Sequence, residues 1–165
     1  MQRIVNDVLE FARPLRLNLT ETDIRQCIQQ AGESCLIKAE EKDVALAVHL
    51  PPEPVMQEVD CYMLQRALVN LIDNAVDASP RGKSVFVTAD DGKDGLHITI
   101  KDHGAGMDQE ALANLFTVTY TTKTEGTGFG VPISKKIVEA HGGTIHITSR
   151  KGSGTEVSIV LPEQD

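Results

Sequence analysis

The chain has 165 residues, no Trp and a formal net charge of −8. That length suits one domain with an aliphatic core. The acidic balance excludes nucleic acid or an anionic membrane surface as the main partner, because both reward clustered Lys and Arg, and no apolar run approaches the roughly 20 residues of a membrane span.

The N-terminus lacks a signal-peptide apolar segment, so the chain is expected to be cytoplasmic, although a longer parent protein can carry a membrane anchor. Cys27, Cys35 and Cys61 form no CxxC pair and no metal-ligand spacing. Their odd number suits reduced thiols filling a core.

Residues 1–12 read as a helix whose apolar positions Ile4, Val8 and Phe11, followed by Leu15, have the spacing of a coiled-coil seam. Pro14 ends it. The segment RLNLTETDI can hold a short edge strand, after which Asp23 caps a helix expected to run from Ile24 into the Lys38 to Lys42 region. Val44 to Leu50 alternates cleanly and reads as a half-buried strand stopped by Pro51, Pro52 and Pro54. Asp60 is the expected cap of the next helix, which ends at Pro80-Arg81-Gly82. Strands over 84–89 and 96–101 flank the turn-rich stretch from Asp90 to Gly95. Asp108 caps a short helix to Phe116, with Met107 placed to pack on Leu112. Residues 117–130 have neither helical nor strand period and read as a mobile loop. Pro132 sits in the first turn of a helix over 131–141, closed by Gly142-Gly143. A second hairpin pairs strands over 144–149 and 155–161. These elements predict an α+β two-layer sandwich, an antiparallel or mixed sheet with helices on one face.

The helix over 64–79 carries the first chemical signal. At about 100° per residue, Leu64, Ala67, Leu68, Leu71, Ile72, Ala75 and Ala78 form one core-facing arc. Asn70 and Asn74 share its edge, with Asp77 one turn further on. Two readings stand: hydrogen bonding at the core edge, or amide oxygens for Mg²⁺, which takes its other oxygens from phosphate and water. Asp102, ending an apolar strand ahead of Gly104 and Gly106, is either a turn aspartate or the acceptor for a ligand amine. Gly126, Gly128 and Gly130, preceding a helix, are either a flexible link or a cradle for phosphate. Lys123 is then either an exposed loop residue or a movable charge beside terminal phosphates.

Taken in order, Asn70-x-x-x-Asn74, Asp102-x-Gly104-x-Gly106, Gly126-x-Gly128-x-Gly130 and Gly152-x-Gly154-Thr155 resemble the N, G1, G2 and G3 boxes of the catalytic ATP-binding domain of sensor histidine kinases, in the GHKL superfamily. Leu115-Phe116 through Thr121-Thr122-Lys123 resembles its F box. The resemblance covers roughly Asp23 to Pro162, and the ordered set is far more specific than any one motif. It implies a Bergerat-type ATP-binding fold over residues 17–165, preceded in residues 1–16 by the end of a dimerisation helix. It further implies that Asn74 ligates Mg²⁺, that Asn70 supports the metal-phosphate cluster and is catalytic together with Lys123, and that Asp77 orders waters. Asp102 would bind the adenine amino group, with Gly104 and Gly106 shaping the base pocket and Thr155 closing it through water. Residues 108–127 would be an ATP lid, and Gly126, Gly128 and Gly130 would receive the triphosphate. Met107, Thr122, Thr127 and Phe129 complete the implied nucleotide contacts.

The sequence departs from the family where Ala78 replaces an adenine-stacking aromatic, and where Phe129, Val131 and Pro132 replace commoner residues. Related ATPases usually place a Glu general base at the position of Asn70; an amide cannot take that proton, which favours transfer over hydrolysis. Asp73 lies about 60° round the helix from Asn70 and is a poor substitute. None of the five histidines sits in a phosphoacceptor pattern. The expected activity is therefore Mg·ATP-dependent phosphorylation of a histidine on a dimerisation domain absent from this chain. A response-regulator receiver domain would be the downstream partner, and the parent protein a homodimer. The competing expectations are a serine kinase or ATPase of the same superfamily, and a nucleotide-sensing module without transfer activity.

Overall fold

The computed structural model describes Leu9, residues 12–117 and residues 130–163. Strict alternation builds the main sheet from β2 (Ala45–His49), β4 (Ser84–Gly92), β5 (Gly95–Lys101), β6 (Thr144–Arg150) and β7 (Gly154–Leu161), in the order β2-β4-β5-β7-β6. β2 runs parallel to β4 and the other pairs are antiparallel. On one face Val85, Val87, Ala89, Leu96, Ile98, Ile100, Val157, Ile159 and Leu161 are buried. Helices α1 (Ile24–Ser34), α3 (Cys61–Ala78) and α5 (Gly130–Ala140) form the second layer, with α3 central and touching both others. The expected α+β sandwich with a mixed sheet is therefore the observed architecture.

Caps set the helix starts as expected. Asp23 accepts from the Arg25 N–H, and the Arg25 guanidinium, bonded to the same carboxyl, holds it below its ordinary value. Asp60 Oδ1 accepts from the Met63 N–H at 3.1 Å and starts α3. Its backbone N–H donates to His141 Nε2 at 3.0 Å, while His141 Nδ1 donates to the Ile137 carbonyl, so this imidazole joins the end of α5 to the start of α3. Asp108 Oδ1 accepts from the Ala111 N–H at 2.8 Å and starts the short helix α4 (Gln109–Ala113).

Several expectations are corrected. The single helix from Ile24 to about Lys42 is two, because the chain turns at Cys35 and restarts as α2 (Leu36–Glu41). A short strand that the prolines obscured, β3 (Met56–Val59), pairs with β1 (Thr20–Asp23) as a separate two-stranded sheet. The Asp90 to Gly95 turn is shorter than its composition suggests, since Asp90, Asp91 and Gly92 stay paired and leave only Lys93-Asp94 as the loop. Leu15 and Met63 pack against the buried cluster of Ala67, Ile133 and Ile137. Ala78 is exposed, and Val76, outside the expected arc, is fully buried. The three cysteines are not all free. Cys27 of α1 and Cys61 of α3 form a disulfide with Cα atoms 5.6 Å apart, and only Cys35 remains a buried thiol. Helix packing makes that pair across 34 residues of sequence, a proximity that Cys spacing does not encode.

Leu68 is fully buried in the middle of α3. Leu68→Ala is expected to destabilise the domain by about 3 kcal/mol, because the removed atoms leave a cavity that the sheet beneath cannot fill. Urea unfolding of the two proteins, compared at equal m-value, checks this.

Candidate functional site

The site is assembled along one flank of α3. At its N-terminal side is Asn70, whose Cγ lies 4.0 Å from where a Cβ on Gly130 would sit, so the first residue of α5 faces that amide. The Ser134 hydroxyl fastens the two helices there, reaching the Ala67 carbonyl at 3.2 Å and the Gly130 carbonyl at 2.8 Å. Eight residues on, about 12 Å along the axis, Gly104 backs onto the last turn. A Cβ on Gly104 would stand 2.2 Å from the Ala78 carbonyl oxygen. Asn74 lies between, partly buried like Asn70. The asparagine pair, the Gly104 loop and the start of α5 thus meet on one side of the molecule.

Asp102 is the buried charge of this site, at 4% exposure. Alternation along β5 turns it to the helical face, and its Oδ1 accepts from the Gly104 N–H at 2.9 Å and the Thr155 N–H at 3.2 Å. Burial raises its carboxyl above the ordinary aspartate value, and those two N–H groups and nearby His103 oppose the rise. The loop that follows is flush against neighbouring backbone. A Cβ on Gly106, whose φ is 69°, would meet the Arg150 carbonyl oxygen at 2.0 Å, and one on Gly154 the Asp102 carbonyl oxygen at 2.2 Å. No other residue type fits these approaches without moving the chain.

Ser149 is the residue the sequence reading missed. Its hydroxyl accepts from the Met107 N–H at 2.8 Å, donates to the Gly154 carbonyl at 3.0 Å and bonds the Thr155 hydroxyl at 2.8 Å, tying the Gly106-Met107 loop to the end of the sheet. A signal was present: Ser149 occupies a strand position opposite Thr155. A groove of about 230 Å³ runs past Asp102, Ser149 and Thr155. A larger groove, about 410 Å³, crosses α1 between Arg25 and Leu50 and touches none of the site residues.

Asp77 is engaged, with its Oδ1 2.8 Å from Lys38 Nζ. Burial, and after it the nearby Asp73 carboxylate, pushes the Cys35 thiol up to about 12, so Asp73 lies near the corner between α1 and α2. Among the described residues, no group of three His, Cys, Asp or Glu side chains is placed to hold a metal ion. An ion here would take an amide oxygen and complete its shell from phosphate and water. Thr122, Lys123, Gly126, Thr127, Gly128 and Phe129 lie outside the described residues. The flanks of that segment are joined, since Lys135 Nζ sits 4.6 Å from the centroid of the Phe116 ring.

Known proteins share this fold. Residues 60–165 match the family described as histidine kinase-, DNA gyrase B-, and HSP90-like ATPase. The chain is 32% identical over 162 residues to the sensor histidine kinase ZraS of Escherichia coli K12, covering 98% of this chain and 35% of that protein. It is 33% identical over 145 residues to the sensor protein FixL of Bradyrhizobium diazoefficiens, covering 86% of this chain and 29% of FixL. It therefore spans about a third of the length of the relatives it matches. Among solved structures, full-length ShkA in complex with AMPPNP superimposes with a TM-score of 0.84 at 28% identity, over 99% of this chain and 36% of ShkA. The catalytic domain of histidine kinase ThkA gives 0.79 at 25% identity, over 88% of this chain and 96% of ThkA. The chain belongs to the histidine kinase-, DNA gyrase B-, and HSP90-like ATPase family and has the fold of a histidine kinase catalytic domain.

Proposed function

We propose that this domain binds Mg·ATP and presents the γ-phosphate to a histidine on a dimerisation domain outside the chain, as the catalytic half of a two-component sensor kinase. The observation that carries the reading is the Asp102 cradle. A carboxylate buried in a setting that disfavours its charge, with one oxygen held by two backbone N–H groups, is suited to accept from a flat ligand's amine. Gly104 and Gly106 let the loop after β5 pack flush on the Ala78 and Arg150 carbonyls, which fixes the backbone beside the Asp102 carboxylate. Thr155, oriented by Ser149, borders the same base end.

At the other end Asn74 offers the amide oxygen for Mg²⁺, and Asn70 stands where the phosphates would lie beside the N-terminus of α5. Asp77 would act on metal-bound water from within its ion pair with Lys38. Bound Mg²⁺ would neutralise phosphate charge as the terminal phosphoryl group leaves. Asn70 cannot act as a general base, and Asp73, which lies near Cys35, is a poor substitute. That combination favours transfer to an acceptor over attack by water. Lys123 and Thr122, with Gly126, Thr127, Gly128 and Phe129, would complete the phosphate side, and Met107 the base side. Residues 1–16 would continue a dimerisation helix of the parent protein, and a receiver domain would take the phosphoryl group onward.

Calorimetric titration of the chain with ATP, with and without Mg²⁺, tests the reading. Saturable binding tightened by Mg²⁺ is expected, and absence of binding overturns it. Asn74→Ala is expected to retain binding while losing most of the Mg²⁺ enhancement in the same titration. Asp102→Asn is expected to weaken ATP binding by roughly tenfold to a hundredfold, the worth of a charge-assisted hydrogen bond, with an unchanged circular dichroism spectrum.

Burial raises the Asp102 carboxyl above the ordinary aspartate range, so it protonates earlier on acidification than an exposed aspartate. Protonation removes the negative charge that strengthens the bond from the base amine to this carboxylate. ATP affinity should therefore fall as pH drops through a range above that of ordinary aspartate. Titration of ATP itself is cancelled by comparison with Asp102→Asn, so the two affinities, measured across acid pH, should converge as the wild-type carboxyl protonates. The raised value also means that protonation favours the folded state, so Asp102 opposes acid unfolding, and that contribution is lost as pH rises through its folded value.

A further inference from the structure

α2 and the residue that caps it lay two lysines one turn apart, Lys38 and Lys42, against the C-terminal turn of α3. Lys38 pairs with the Asp77 carboxylate. Lys42 does something different: its ammonium donates to the backbone carbonyls of Val76 at 2.9 Å, Asp77 at 2.7 Å and Ser79 at 3.3 Å. The last carbonyls of a helix lack intrahelical partners and carry partial negative charge, so a cation there both bonds and neutralises them.

Lys42 reaches this position because the chain turns sharply behind it. Asp43 has φ of 56°, its N–H donates to the Glu40 carbonyl, and the Val44 N–H donates to the Ala39 carbonyl. The corner is pinned to the far side of the same turn by the Gly82 N–H, 2.7 Å from the Asp43 carbonyl. Lys42 therefore clamps the carbonyls on either side of Ala78. The Ala78 carbonyl between them is the surface on which Gly104 rests, so close that a Cβ on Gly104 would stand 2.2 Å from its oxygen. Gly104 in turn donates its N–H to Asp102 Oδ1.

We propose that Lys42 is a positioning residue for the base end of the nucleotide site: by holding the last turn of α3 it sets the height of Gly104, and through Gly104 the orientation of the Asp102 carboxylate. The effect is expected mainly at the base end, because the Asp77 carboxylate is held separately by Lys38. The Asn70 and Gly130 end lies about two turns away on α3 and is fastened separately by Ser134.

This inference rests on the ATP reading above, and its test distinguishes the two. Affinities for ATP and GTP are measured by calorimetry for the wild type, Lys42→Met and Lys42→Arg, with thermal unfolding alongside. Guanine presents a carbonyl where adenine presents an amine, so GTP reports the triphosphate end without the Asp102 contact. Lys42→Met is expected to weaken ATP roughly tenfold while leaving GTP within about twofold, and Lys42→Arg to restore most of the ATP affinity. Parallel loss of both nucleotides, or unchanged ATP affinity, overturns the proposal. Should Lys42→Met not fold, Lys42→Gln, neutral but still a donor, is titrated with the same two nucleotides, and the same results support or overturn the clamp. A wild-type protein that binds neither nucleotide defeats the ATP reading itself and this inference with it.

Discussion

The site depends on how closely the loop after β5 approaches the last turn of α3. Gly104 stands so near the Ala78 carbonyl that no side chain fits between them. That contact joins the loop after β5 to the last turn of α3, and it fixes where the buried Asp102 carboxylate lies relative to that helix. The glycines at 106 and 154 extend the same flush backbone packing to β6 and β7. An acidic side chain at 4% exposure is tolerated there because two backbone N–H groups meet one of its oxygens.

α3 is the structural spine of this arrangement. It starts at an aspartate that caps it and whose own N–H is received by His141 from the end of α5. It ends under the Lys42 ammonium. Between those fixed ends, its buried face packs on the sheet while its edge carries Asn70 and Asn74. The Cys27–Cys61 disulfide adds a covalent tie between α1 and the first residue of α3. Position 70 on this edge is an amide, which cannot take a proton as a carboxylate would, and Asp73 lies near Cys35.

The helices on one sheet face, the caps at Asp23, Asp60 and Asp108, and both hairpins were legible in the sequence, because each follows from local periodicity or a short-range hydrogen bond. The ordered asparagine, aspartate and glycine motifs also pointed to the candidate site. What escaped notice was non-local. β3 hid among prolines and pairs with a strand more than thirty residues earlier in the chain. Ser149 looked like an ordinary strand residue until β6 and β7 brought it against the Met107 loop.

The sequence by itself determined which residues are candidates for the site and the elements on which the described ones sit, since alternation, helical period and glycine spacing are properties of neighbours along the chain. Only the tertiary structure decided that Cys27 meets Cys61, that Ala78 leaves the core, that Lys42 caps α3 and that Asp73 lies near Cys35. Each of these depends on how helices and loops distant in sequence pack, and no local pattern records a distance across the fold.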